Sequence, residues 1–265
     1  MKKLLLFICL FTSGRALRAQ QGGGFIKASM IQGQDTMNYR ILFPLDYDTA
    51  KKYPVVFFLH GAGERGSDNN KQLVHGSKLF LQAENRKHFP AIVVFPQCHT
   101  PGYWSNVLRA EENPVAGKDR FYFLPASVAP TRDMQMLMQL VSYVLNTYPV
   151  NKEQVYAGGL SMGGMGTFEL VNRMPGIFAA AFPICGGGNT ALVNTDMAKT
   201  TWWIFHGGKD DVVHPKFSGQ MADALEKRKA SVKYTLYPEA NHNSWDSAFA
   251  EPNLLSWLFS QRKSN

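Results

Sequence analysis

Val155-Tyr156-Ala157-Gly158-Gly159-Leu160-Ser161-Met162-Gly163-Gly164 is the stretch from which the rest of the chain can be read. Val155 to Ala157 make a short apolar strand pattern, and the segment from the Ser161 turn to about Met174 suits a helix. A serine therefore stands at a strand-to-helix turn with glycine two places before and two places after it, the G-x-S-x-G pattern in the context that turn requires. So sharp a reversal brings neighbouring backbone against both flanking positions, which gives Gly159 and Gly163 a steric reason to be glycine. The Ser161 hydroxyl is thereby lifted above the strand ends.

Outward from this turn, short continuous apolar runs recur at Val55–Leu59, Ile92–Phe95, Ala179–Ile184 and Trp202–Phe205. Runs without alternation suit strands buried on both faces, as in a parallel sheet covered by helices. Helices are expected over Asp133 to about Asn146, where Met134, Leu137, Met138, Val141, Val144 and Leu145 form one stripe, over roughly Pro215 to Arg228, and over about Ser247 to Phe259. Strand alternating with helix predicts an α/β fold with right-handed crossovers. Phe25 to Phe43 reads instead as an N-terminal antiparallel hairpin around Gly33-Gln34. Residues 99–129 resist assignment and are too long for a simple connector.

A serine hydroxyl is a weak nucleophile at neutral pH, so a histidine must take its proton and a carboxylate must orient that histidine. After the Trp202–Phe205 run comes His206-Gly207-Gly208-Lys209-Asp210-Asp211, and after the next strand, Val232 to Tyr237, comes Glu239-Ala240-Asn241-His242. Both turns open on the sheet edge that carries Ser161, the edge where open α/β sheets bind ligands. His242 is thus preferred as base over the other histidines. Asp210 or Asp211 is the acid, with Asp210 preferred and Asp211 read as a turn or capping residue. An oxyanion needs backbone donors already aimed at it. Met162 supplies one amide, and His60-Gly61-Ala62-Gly63-Glu64-Arg65-Gly66 supplies the other, taken as Ala62 rather than Gly63. His60 is read as orienting this loop. Glu64 is either an ion-pair partner of Arg65 that braces the loop or a polar substrate contact. Trp104 is either a wall of the substrate pocket or a core residue, and Trp245 is packing that fixes the histidine loop. The chemistry of this set calls for no cofactor and no metal.

Met1-Lys2-Lys3 followed by the apolar run Leu4 to Phe11, with Ala16-Leu17-Arg18-Ala19 behind it, has the layout of a cleavable signal peptide of bacterial type over residues 1–19. The run is too short to span a bilayer. A secreted or periplasmic product, residues 20–265 as one domain without stable membrane insertion, is expected. Removing Lys2, Lys3, Arg15 and Arg18 turns 28 basic residues into 24 against 20 acidic ones, so the net charge falls from +8 to +4. The remaining basicity is dispersed, which speaks against a nucleic-acid partner. Two cysteines remain, Cys98 and Cys185, too few for a disulfide scaffold and without zinc-site spacing.

The stretches Leu59–Gly66, Phe95-Pro96-Gln97-Cys98, Gly159–Gly164, Pro183–Gly188, the Asp210 turn and His242-Asn243-Ser244-Trp245 resemble the bacterial secreted esterase branch of the α/β-hydrolases known as predicted peptidases, related to polyhydroxybutyrate depolymerases and feruloyl esterases. The resemblance implies an α/β-hydrolase fold, Ser161, Asp210 and His242 as a triad, and Ala62 and Met162 as oxyanion donors. It also implies a small-molecule or carbohydrate-linked ester substrate. A serine peptidase and a non-catalytic carbohydrate-binding protein are the alternative readings. The implied strand order sets the strands ending at Phe95 and Ile184 three spacings apart, about 14 Å at roughly 4.8 Å each. Bridged cysteines need Cα atoms within about 7 Å, so Cys98 and Cys185 should be free.

Overall fold

The computed structural model describes residues 23–110, 120–125 and 127–263, and the expected signal peptide lies outside them. Strands β1 (Ile26–Gln32) and β2 (Asp35–Leu42) form the expected antiparallel hairpin, turning at Gly33 with φ +62°, a conformation that favours glycine. β2 pairs antiparallel with β4 (Ile92–Pro96), and from there the sheet is parallel. Next come β3 (Tyr53–Leu59), β7 (Val150–Leu160), β8 (Ala180–Ile184), β9 (Thr201–Gly207) and β10 (Val232–Tyr237). The eight-stranded order is β1-β2-β4-β3-β7-β8-β9-β10, the α/β-hydrolase arrangement. Two strands separate β4 from β8, and Cys98 and Cys185 are free, as that order requires.

Because side chains alternate across a strand, each buried strand feeds two cores. Val55, Phe57 and Leu59 of β3, with Val155, Ala157, Trp202 and Ile204, pack on helices Arg132–Thr147, Met162–Arg173 and Lys216–Lys227. Val56, Phe58, Tyr156, Phe182, Trp203 and Phe205 turn to the other face, against Ser77–Leu81 and the two C-terminal helices. With Ala83–His88 included, the helices are α1 (Ser77–Leu81), α2 (Ala83–His88), α3 (Arg132–Thr147), α4 (Met162–Arg173), α5 (Lys216–Lys227), α6 (Trp245–Phe249) and α7 (Leu254–Ser260). Thr131 caps α3, its hydroxyl accepting from the Met134 amide at 3.1 Å.

One expectation is corrected here. The single helix read over Ser247 to Phe259 is two, because Pro252 has no N–H to give and disfavours helical geometry at Glu251. The unassigned stretch contributes a small separate hairpin, β5 (Val107–Arg109) paired antiparallel with β6 (Phe121–Phe123). Among the described residues no helix is long and apolar enough to cross a membrane.

Candidate active site

β7 runs straight into the turn. Ser161 has φ 53° and ψ −117°, a left-handed backbone that a residue with a Cβ adopts only under constraint. The constraint comes from both sides: the Ser161 amide donates to the Ile184 carbonyl at 2.9 Å, and its carbonyl accepts from Met165 at 3.0 Å. A Cβ on Gly159 would lie 2.5 Å from the Gly163 carbonyl oxygen, and one on Gly163 would overlap the Leu59 carbonyl. Backbone cannot yield cheaply there, so these two glycines are what allow α4 to start against β3.

At this turn Ser161 Oγ lies 2.9 Å from His242 Nε2, and His242 Nδ1 lies 2.8 Å from Asp210 Oδ2. The structure therefore brings together Ser161, Asp210 and His242 from three separate strand ends. Asp210 Oδ1 accepts the amides of Val212 at 2.9 Å and Val213 at 2.8 Å, which leaves Oδ2 to face the imidazole. Burial works to raise the Asp210 carboxyl, but the hydrogen bonds from His206, His242 and the Val213 amide overcome it and hold the group well below the usual carboxylate range. Asp211 points elsewhere: it is exposed, and its amide meets Asn241 Oδ1 at 3.3 Å.

Met162 is the first residue of α4 and Ala62 the first of a short 3-10 turn, so neither amide has an intrahelical acceptor. The loop carrying Ala62 passes directly against the serine: a Cβ on Gly61 would lie 3.7 Å from Ser161 Cβ. His60 holds that loop from beneath. Its Nδ1 donates to the Gly61 carbonyl at 2.6 Å and its Nε2 accepts the Cys98 amide at 3.0 Å, the arrangement of a neutral ring.

Burial pushes His60 down to about 4. Its folded value lies below the roughly 6.5 of the unfolded chain, so the unfolded state takes up the proton first. His60 thus supports full stability above about pH 6.5 and withdraws about 3 kcal/mol as the pH falls to about 4. Urea unfolding at pH 7 and pH 4 is expected to show this loss in the wild type and a loss smaller by about that amount in His60→Gln.

The chain matches a known family. The dienelactone hydrolase family model matches residues 105–253, more than half of the chain. The chain belongs to the dienelactone hydrolase family. A thermostable esterase of known structure is 30% identical, with a TM-score of 0.79 over 91% of this chain and 64% of its own. The bifunctional acetylxylan esterase/xylanase of Neocallimastix patriciarum is 30% identical over 84 residues, 32% of this chain and 12% of that protein. The ferulic acid esterase of Anaeromyces mucronatus shares the fold at 18% identity, with a TM-score of 0.61 over 89% of this chain and 88% of its own. This member of the dienelactone hydrolase family is therefore shorter than the first two relatives: it spans under two thirds of one and about an eighth of the other.

Several side chains sit differently from their sequence reading. Trp104 is not a pocket wall, because it is fully buried and its indole N–H donates to the His60 carbonyl at 3.1 Å. It is the core alternative that holds. Arg65 braces its loop without Glu64, donating to the carbonyls of Ala62 at 2.8 Å, Gly102 at 3.2 Å and Pro101 at 3.3 Å. Glu64, with a side chain only 14% exposed, lies 3.8 Å from His75 Nε2 instead. His75 and His242 both pack against the Trp245 ring, at 5.1 and 5.4 Å between centroids, so Glu64 joins a chain of contacts that ends on the His242 imidazole.

Sequence reasoning missed a small apolar cluster in which Phe121, Met165, Val213 and Phe217 pack with Tyr103, Val107, Phe123 and Val212. Its signal was the alternation Phe121-Tyr122-Phe123, in which Tyr122 faces solvent and its neighbours turn inward. A ligand atom from each of Cys185, Asp210 and His242 lies within 4.8 Å of the other two. Burial pushes the Cys185 thiol well up, and a thiol that stays protonated is a poor metal ligand.

Proposed function

We propose that this protein hydrolyses carboxylic esters through an acyl-enzyme on Ser161. The observation that carries the reading is the unbroken relay from Ser161 Oγ through both nitrogens of His242 to a carboxylate whose second oxygen is fixed by two amides. His242 Nε2 takes the hydroxyl proton as Oγ attacks the ester carbonyl, and the imidazolium so formed is held by Asp210. The amides of Ala62 and Met162 receive the oxyanion, each such donor being worth on the order of a hundredfold or more. Nε2–H then protonates the departing alkoxide. A water deprotonated by the same nitrogen attacks the acyl-enzyme, and Ser161 recovers its proton as the acid leaves.

Esters of acyl, acetyl or aryl acids on carbohydrate-type or small alcohols fit this reading. The thermostable esterase and the acetylxylan esterase/xylanase support it by similarity. Neither a peptidase nor a non-catalytic carbohydrate binder is favoured: an idle binding protein has no use for an assembled relay. The signal-like layout of residues 1–19 supports secretion or export to the periplasm.

The experiment is turnover of p-nitrophenyl acetate and acetylated xylan set against a peptide p-nitroanilide. Ester cleavage is expected, together with one acetyl group trapped on the Ser161 peptide by acid quench and mass spectrometry. Anilide cleavage at a comparable rate, or esters left intact, contradicts the reading.

A further inference from the structure

One of the buried histidines outside the relay touches its acid. His206, next to the last residue of β9, is fully buried, and its Nε2 lies 2.8 Å from the Val213 carbonyl and 3.2 Å from Asp210 Oδ2. Both neighbours are acceptors, so Nε2 carries a proton. Nδ1 lies 2.7 Å from the Ser218 hydroxyl of α5, which in turn is 2.9 Å from the Gly186 carbonyl. Whichever of the two the Ser218 proton serves, the Nε2–H directed at Asp210 and Val213 is unchanged. Asp210 Oδ2 therefore meets two imidazoles, His206 and His242, while Oδ1 meets two amides.

We infer that His206 is a positioning residue for the catalytic acid: it shares Asp210 Oδ2 with His242 and clamps the 210–213 turn by holding the Val213 carbonyl. This rests on the triad reading above. Sharing the oxygen has two consequences. The oxygen that meets His242 is held by a second donor as well, which restrains the carboxylate from rotating when the imidazole becomes charged. Part of its negative potential is also drawn off, so the charge that faces His242 is smaller than that of a carboxylate meeting one imidazole alone. The other groups that face this cluster are the Cys185 thiol at the end of β8, kept protonated by burial, the buried Ser244 hydroxyl at the start of α6, Ser218 of α5 and Ser161 itself. Asp211 and the Lys209–Glu239 pair lie on the exposed side of the turn. The dependence of kcat/KM on pH is therefore a readout of how His206 holds Asp210 against His242.

The test compares wild type, His206→Phe and His206→Gln. Phenylalanine keeps the ring and loses the donor, whereas glutamine can place an amide N–H near the Nε2 position. In His206→Phe, kcat/KM for p-nitrophenyl acetate is expected to fall on the order of tenfold, with the acid limb moved up by about half a pH unit or more. His206→Gln is expected to recover most of both. A folded His206→Phe whose acid limb stays where the wild type has it overturns the proposal. Should that variant not fold, 15N-histidine NMR of the wild type decides: His206 Nε2 protonated throughout the active pH range supports the proposal, and an unprotonated Nε2 overturns it. Labelling of Ser161 in the wild type by a fluorophosphonate separates the two levels. An unlabelled wild type defeats the triad reading, whereas a labelled wild type with an unmoved His206→Phe profile defeats only the role of His206.

Discussion

Ser161→Ala is expected to lower kcat for p-nitrophenyl acetate on the order of 10⁵ to 10⁶-fold while leaving unfolding stability within about 1 kcal/mol of wild type. The two halves of that expectation come from different features of the turn. Removing Oγ removes the atom that bonds to the acyl group and the hydroxyl that donates to His242 Nε2 at 2.9 Å, so neither half-reaction can proceed by the covalent route. What survives is the contribution of the oxyanion amides and of binding, which act on water in place of the serine. The backbone at position 161, by contrast, is fixed by main-chain bonds to Ile184 and Met165 that an alanine keeps. Steady-state kinetics with a thermal melt of the same samples checks both, and a variant retaining more than about a hundredth of the activity contradicts the role given to Ser161.

Asp210→Asn is expected to cost about 10⁴-fold in kcat, and Asp211→Asn less than about twofold. The geometry dictates the asymmetry. Asp210 receives four donors: the amides of Val212 and Val213 on one oxygen, and the rings of His242 and His206 on the other. An amide at that position has only one acceptor oxygen. If that oxygen stays with the two backbone amides, the new NH2 faces His242 Nδ1 and favours the tautomer with hydrogen on Nε2. That tautomer cannot take the Ser161 proton. Asp211 is exposed on the far side of the turn and has no such partner to lose. Equal losses in the two variants contradict the assignment of the acid.

These effects fall on residues legible in the sequence, and the reason is physical. The turn at Ser161 is governed by local sterics: the clash of a Cβ at Gly159 or Gly163 with backbone leaves its mark within five residues. The strands and the hairpin were legible because burial on two faces or one writes itself into apolar runs and alternation, as at Val55–Leu59 and Tyr39-Arg40-Ile41. What could not be read were choices made by distant partners. Trp104 looked equally like a pocket wall or core until its indole was found on the His60 carbonyl. Glu64 and Arg65 are adjacent in the chain, yet one turns to His75 and the other to carbonyls on the loop at 101–102. His206 gave no local sign of its contact with Asp210, because that contact depends on how tightly the turn after β9 closes. The break between α6 and α7 was a local signal passed over, since Pro252 lies in plain view.

The neutral His60 shows how the same fold ties stability to the site. The residue touches no reacting atom, but it supports the loop that carries Ala62 and holds Cys98 on the neighbouring strand end. Trp104 closes over it at 5.3 Å between ring centroids. Acidification that protonates this ring is therefore expected to loosen the loop that carries Ala62 together with the fold.

The central claim is that Ser161 is a nucleophile activated by His242, and the most direct measurement is covalent. The wild-type protein is treated at pH 7.5 with a biotinylated fluorophosphonate, digested and mapped by mass spectrometry, alongside His242→Ala under the same conditions. The account predicts a single stoichiometric adduct on Ser161 in the wild type and labelling slowed by a thousandfold or so in His242→Ala. Folded wild-type protein that takes no label at Ser161, or labels there equally fast without His242, contradicts it.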